Sequence, residues 1–151
     1  MKITLFINDK QRIADVEPNE YLLDTLHHMG YTSVRRGCDT TSCGVCTVLL
    51  DEKPIPSCSV LTIRLNDRHI TTVEGIQEET ERLSEYFGAE GADQCGYCNP
   101  SLALAVHALK HENPHPTMDE IKNYLVTNLC RCTGYVAQHK AIRNYLEDEE
   151  S

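Results

Sequence analysis

The sequence predicts an α+β chain of 151 residues made of two unlike halves, strands and turns first and helices second. Three observations predict this. Apolar residues alternate at period 2 near the N-terminus, in Ile3, Leu5 and Ile7. Downstream of Glu74-Gly75 they recur at helical spacing instead. Each half also carries four of the eight cysteines. The switch of period places a boundary at roughly residues 74–80 and divides the chain into two units, 1–76 and 77–151.

The elements follow in order. Residues 3–7 are the first strand, Asn8-Asp9-Lys10 is a turn, and residues 11–16 return as the second strand of a hairpin. Tyr21, Leu22, Leu23, Leu26 and Met29 share one face of a short helix that Gly30 ends. A loop rich in Gly, Ser, Thr and Cys spans residues 33–46. Thr47-Val48-Leu49-Leu50 is β-prone, Asp51-Glu52-Lys53-Pro54 turns it, and residues 69–73 read as a last strand. In the second half, residues 80–87 form a helix. Asn99-Pro100 opens another, with Asn99 as the expected N-cap and Leu102, Ala105, Val106 and Leu109 on one face. Asn113-Pro114-His115-Pro116 breaks that pattern. Thr117-x-x-Glu120 is a capping box ahead of Ile121, Tyr124, Leu125 and Leu129. A final helix runs over about residues 135–146, and the acidic end, residues 147–151, reads as a solvated tail.

Composition narrows the function classes. Fourteen Lys and Arg against 23 Asp and Glu give a formal charge of −9, which argues against a nucleic-acid partner and suits protein partners. No apolar run approaches the roughly 20 residues a membrane span needs. The N-terminus reaches polar Asn8-Asp9-Lys10 at once, without a signal-peptide core, so the expected compartment is the cytoplasm. Thiols stay reduced there, and a cysteine-rich chain is read as metal-binding before disulfide-stapled.

The first cysteine set is Cys38-x4-Cys43-x2-Cys46 followed by Cys58, the spacing of plant-type [2Fe–2S] ferredoxins. Three thiolates from one loop must wrap a small cluster, so small residues separate them. Gly37 and Gly44 let backbone N–H groups approach the sulfurs, where each donor stabilises the charge gained on reduction. Arg35 and Arg36 either assist electrostatically or are solvated surface charges. The second set is Cys95-Gly96-Tyr97-Cys98, just before a helix start, and Cys130-Arg131-Cys132, at a helix join. A bundle that brings these ends together would hold four thiolates around one cluster.

Other chemistries use the same residues. Zinc accepts four thiolates and remains an alternative, which would make the chain a zinc-stapled interaction module. A thioredoxin-like dithiol would leave six cysteines without a role and lacks a preceding βαβ pattern. No Cys-x-His exists for a Rieske site, and Leu49 stands where a bacterial-ferredoxin run needs Cys. His107 and His111, four residues apart, have no evident acidic third ligand. No nucleophile–base constellation or phosphate-binding loop is present, so substrate chemistry is not expected of this chain.

Larger motifs carry a family resemblance. Gly37-Cys38-x4-Cys43-Gly44-x-Cys46-Thr47-Val48 resembles the first cluster motif of the small iron–sulfur subunits of molybdenum hydroxylases, the relatives of xanthine dehydrogenase, aldehyde oxidoreductase, carbon monoxide dehydrogenase and nicotinate dehydrogenase. Thr72-Val73-Glu74-Gly75 is similar to the junction segment of that family. Gln94-Cys95-Gly96-Tyr97-Cys98-x-Pro100 and Asn128-Leu129-Cys130-Arg131-Cys132-Thr133-Gly134-Tyr135 are similar to its second cluster motif.

The resemblance implies a β-grasp, plant-type ferredoxin-like domain followed by a four-helix bundle. It implies that Cys95, Cys98, Cys130 and Cys132 hold the cluster near molybdenum, and that Cys38, Cys43, Cys46 and Cys58 hold the one facing FAD. Gln94 and the Cys98 backbone would contact the molybdopterin of a large partner subunit, and a medium subunit would carry FAD. The chain would then be the electron-transfer subunit of an oxidoreductase, not a free-standing ferredoxin-like carrier. The substrate would belong to the large subunit; xanthine, another purine, nicotinate and an aldehyde all fit these motifs. The sequence departs from the family pattern at Thr41 and Ser33, where Gly is usual, at Ser101 after Pro100, and at Gln138, where an apolar residue is common. Thr41 bears on the backbone geometry of the first cluster loop.

Overall fold

In the computed structural model, which describes residues 1–148, a mixed five-stranded sheet is followed by four helices. Strand β1 (Lys2–Ile7) pairs antiparallel with β2 (Lys10–Asp15) through a two-residue turn. Asn8 and Asp9 take left-handed backbone there, at φ 50° and 62°, the twist that matches a hairpin's strands. Ile3, Leu5 and Ile7 all face inward, as period 2 requires. Helix α1 (Leu22–His28) lays Leu22, Leu23 and Leu26 on that face.

Strand β3 (Thr47–Leu50) pairs antiparallel with β4 (Lys53–Pro56) and with β5 (Arg68–Thr71), and β5 runs parallel to β1. The order across the sheet is β2-β1-β5-β3-β4. Pro54, expected in the turn after β3, instead lies within strand β4, an element the sequence pattern does not announce. The strand lies at the sheet's edge, where two prolines are tolerated because their missing N–H groups break no interior ladder. Val73, expected in the last strand, instead begins a short 3-10 turn, Val73–Ile76, that leads directly into α2 (Gln77–Ala89).

Helices α2, α3 (Asn99–Glu112), α4 (Met118–Tyr124) and α5 (Val136–Asp148) enclose the second core. Leu83, Phe87, Leu102, Val106, Leu109, Ile121, Ile142 and Tyr145 meet there. Helix α3 is buried on two sides, not one. Leu102, Ala105, Val106 and Leu109 face the other helices, while Leu104 and Ala108 pack on Leu49 of β3. This second face welds the bundle to the sheet. Asn99 is not the cap: Cys98 holds that place, and the Asn99 amide donates to Asp93 Oδ1 at 3.0 Å. Leu129 lies beyond α4, in the loop that precedes α5. Glu147 and Asp148, expected in a solvated tail, form the last turn of α5; residues 149–151 of that tail lie outside the described residues. No helix among the described residues is long and apolar enough to cross a membrane.

Candidate metal centre

All eight cysteines are free thiols. Cys38, Cys43 and Cys46 come from the loop between α1 and β3, and Cys58 from the 3-10 turn Ser57–Ser59 after β4. Pairing of β3 with β4 therefore returns Cys58 to the loop. Ser57 fixes that return: it is fully buried, and its hydroxyl and N–H both donate to the Cys46 carbonyl, at 2.7 and 3.3 Å. Ser57 was not singled out in the sequence; its adjacency to Cys58 was the only signal.

Within this set Cys43 bears on the ionisation of Cys38, and Cys46 on that of Cys58. Backbone N–H groups of Cys43 and Thr40, the Cys43 thiol and the Ser42 N–H hold the Cys38 thiol at about 6. Burial pushes Cys43 and Cys58 upward. The loop thus aims the N–H groups of Thr40, Ser42 and Cys43 at the Cys38 sulfur. Gly37 leaves room for this, since a Cβ there would come within 2.5 Å of Val45 Cγ2 and 3.1 Å of Cys43 Sγ. Thr41 pays for the missing glycine with φ 58°, left-handed backbone in a β-branched residue.

In the second set Cys132 bears on the ionisation of Cys95, and Cys130 on that of Cys98, so these sulfurs form two pairs. The first pair is exposed and the second buried. The Tyr97 N–H donates to Cys95 Sγ at 3.4 Å and lowers that thiol. Burial pushes Cys98 up to about 11. Burial also opposes ionisation of Cys130, but the Thr133 hydroxyl, 3.2 Å from its sulfur, and the N–H groups of Cys132 and Thr133 bring it down on balance. The Cys130 N–H in turn donates to the Tyr135 hydroxyl at 3.1 Å.

This donor set fits a binuclear iron–sulfur core. Such a core has two irons that share four thiolates, so each iron takes two. The cysteines of each set lie close enough to act on one another, and in Cys38 with Cys43, Cys95 with Cys132 and Cys98 with Cys130 one thiol is lowered and the other raised. Among the described residues no three His, Cys, Asp or Glu side chains converge as ligands of one metal ion. His107 is engaged elsewhere, with Glu79 Oε2 at 2.6 Å.

The two sets adjoin. A cleft of about 420 Å³ is lined by Cys38 and Cys43 from one and by Cys95, Cys98 and Cys130 from the other. The Leu129 N–H donates to the Cys43 carbonyl at 2.8 Å, and Leu129 is bonded directly to Cys130. Arg35 is not a solvated charge: its Nη1 donates to the Gly96 carbonyl at 2.6 Å, and its guanidinium lies 4.9 Å from the Tyr97 ring centroid. The Tyr97 hydroxyl donates to the Arg36 carbonyl at 2.7 Å, while Arg36 itself pairs with Asp24. Gln94 stands exposed next to exposed Cys95. The substituted serines are used locally. Ser101 is buried and donates to the Cys98 carbonyl at 3.0 Å, and Ser33 donates to Glu74 at 2.8 Å.

Comparison with known proteins agrees with this geometry. The family model of a 2Fe-2S iron-sulfur cluster binding domain matches residues 5–83, and that of a [2Fe-2S] binding domain matches residues 72–143. The nicotinate dehydrogenase small FeS subunit of Eubacterium barkeri is 41% identical over 96% of this chain and 94% of its own length. The xanthine dehydrogenase iron-sulfur-binding subunit of Escherichia coli O157:H7 is 38% identical over 78% of this chain and 77% of its own. Among solved structures, quinoline 2-oxidoreductase from Pseudomonas putida 86 superposes with a TM-score of 0.91 at 35% identity, over 99% of this chain and 96% of that one. Its cysteine motifs, its fold and these relatives together make the chain a member of the small [2Fe–2S] subunit family of the xanthine dehydrogenase-like molybdenum hydroxylases.

Proposed function

We propose that the chain holds two [2Fe–2S] clusters and relays electrons between a molybdopterin site on a large partner subunit and FAD on a medium one. Cys38, Cys43, Cys46 and Cys58 would hold one cluster in unit 1–76, and Cys95, Cys98, Cys130 and Cys132 the other in unit 77–151. Each cluster, when bound, supplies one-electron chemistry. The rest is the work of this chain's own residues.

The observation that carries the reading is the single hydrogen bond from Leu129 to the Cys43 carbonyl, 2.8 Å long. It joins a residue of one cysteine set to the neighbour of a residue of the other, giving a short bonded route between the sites. The Arg35–Gly96 and Tyr97–Arg36 contacts hold that route closed. Backbone N–H groups on Cys38 and the Thr133 hydroxyl on Cys130 stabilise negative charge on the sulfurs. The exposed rim of Gln94, Cys95 and Cys132 is the side from which a partner's molybdopterin would be reached, with Gln94 and the Cys98 backbone as its contacts. Cys58, on the sheet side, would face the FAD subunit. We place the complex in the cytoplasm, where reduced thiols can accept iron.

The test is metal and acid-labile sulfide analysis of anaerobically purified chain, with EPR after dithionite reduction. About four irons and four sulfides with two distinct rhombic signals are expected. Cys46→Ser should remove one signal and Cys130→Ser the other. Zinc without sulfide would overturn the reading and leave a zinc-stapled module.

A further inference from the structure

We propose that Gln138 is a positioning residue that raises the reduction potential of the helical cluster by donating its side-chain amide to the Cys98 sulfur. The inference rests on the reading above that Cys98 ligates that cluster. Gln138 occupies the first turn of α5, where an apolar residue would suit the core it enters. It is only 3% exposed, and Ala141, Ile142 and Tyr145 of the same helix are completely buried. An amide in such a place is costly unless it finds a partner. Its Nε2 lies 3.6 Å from Cys98 Sγ, across 40 residues of sequence, and Cys98 is itself 7% exposed. The contact is therefore dry, and both ends are fixed by packed elements.

The direction of the effect follows from charge. Reduction adds an electron to a core already negative, and the ligand sulfurs share it. An N–H dipole aimed at one sulfur stabilises the reduced form more than the oxidised form, and more strongly where water is excluded. The helical cluster is thereby made a better electron acceptor than an apolar residue at this position would leave it. Among the described residues the Gln138 amide is hydrogen-bonded to Cys98 and to none of Cys38, Cys43, Cys46 and Cys58, so the ferredoxin-type potential serves as the internal control.

Gln138→Leu and Gln138→Met both fill the space without a donor. Each is compared with wild type as the full iron-loaded chain, with iron and sulfide content measured and both cluster potentials read by EPR-monitored potentiometry. Expected are unchanged loading, an unchanged ferredoxin-type potential, and a roughly tenfold lower reduced-to-oxidised ratio for the helical cluster at fixed potential. For a one-electron couple that ratio is a downward shift of about 59 mV. An unmoved helical potential in a loaded variant overturns the proposal, as do equal shifts in both clusters, which would report a global perturbation. Loss of the helical cluster from both variants also overturns it, by assigning the side chain to assembly. If wild type itself lacks the second signal, the ligand assignment fails first and takes the proposal with it, an outcome recognisable without any variant.

Discussion

Thr41 lies between Cys38 and Cys43 with φ 58°, a conformation that suits glycine and strains a β-branched residue. Left-handed backbone in such a residue costs about 1–3 kcal/mol, and glycine's extra unfolded-state entropy takes back about 0.5–1 kcal/mol. Thr41→Gly should therefore stabilise the metal-loaded chain by about 1 kcal/mol, read as a rise of a few degrees in thermal midpoint. A lower midpoint would mean that the threonine side chain contributes more than its backbone costs. Gly44 has the opposite sign. At φ 72° an added Cβ would stand 1.9 Å from the Thr127 carbonyl oxygen, a backbone atom that cannot swing aside. Gly44→Ala should cost on the order of 3 kcal/mol or more and separate the first cysteine loop from the segment that carries Leu129. Thermal denaturation and iron content together check this; a variant with wild-type midpoint and full iron would refute it.

At the scale of elements, α4 is short and is held by its first turn. Thr117 Oγ1 accepts from the Glu120 N–H at 3.3 Å, and Glu120 Oε2 accepts from the Thr117 N–H at 2.7 Å. Removing the hydroxyl in Thr117→Ala should cost about 1 kcal/mol. Because α4 leads into the loop of Cys130 and Cys132, increased hydrogen exchange should spread from α4 into residues 125–135. Exchange confined to the first turn of α4 would separate the cap from that loop. Helix α3 has the broader role. Its two buried faces make one element part of both cores, so the sheet and the bundle cannot reorient without breaking the packing of Leu49 on Leu104 and Ala108.

At the scale of the molecule, His107 ties three elements and a turn together. Its Nδ1 meets Glu79 of α2 at 2.6 Å, its Nε2 lies 3.7 Å from Glu52 in the β3–β4 turn, and Tyr145 of α5 donates to the same Glu79 at 3.1 Å. The hydrogen bond with Glu79 raises His107 above its ordinary value, against the effect of burial. A raised folded-state value means the stabilisation is complete below about pH 6.5 and is lost as pH rises through the folded value. Burial alone would raise Glu79, but the His107 hydrogen bond and charge lower it on balance. Its share is present above the ordinary glutamate value and is lost as acid protonates it. The thermal midpoint should thus decline from pH 6.5 toward pH 9, and His107→Gln should flatten that decline. An identical slope in the variant would assign the pH dependence elsewhere.

The cysteine motifs and most of the elements were legible in the chain alone. Cysteine spacing is local, and so are the period-2 strand of Ile3, Leu5 and Ile7, the Asn8-Asp9 turn and the Thr117–Glu120 box; each is decided by residues only a few positions apart. Strand β4 was hidden because Pro54 and Pro56 oppose a strand everywhere except at an edge, and the edge exists only once β3, β5 and β1 have assembled. Asn99 lost its expected cap role because Cys98 took that place and Asp93 offered the Asn99 amide a better partner. What joins the halves was not legible there. Arg35 on Gly96 and Tyr97, Leu129 on Cys43, and Gln138 on Cys98 span about 40 to 86 residues of chain, and no periodicity carries information over such distances. These contacts depend on which surfaces the folded sheet and bundle present to each other, so the residues that bring the two sites together became visible only when both halves were in place.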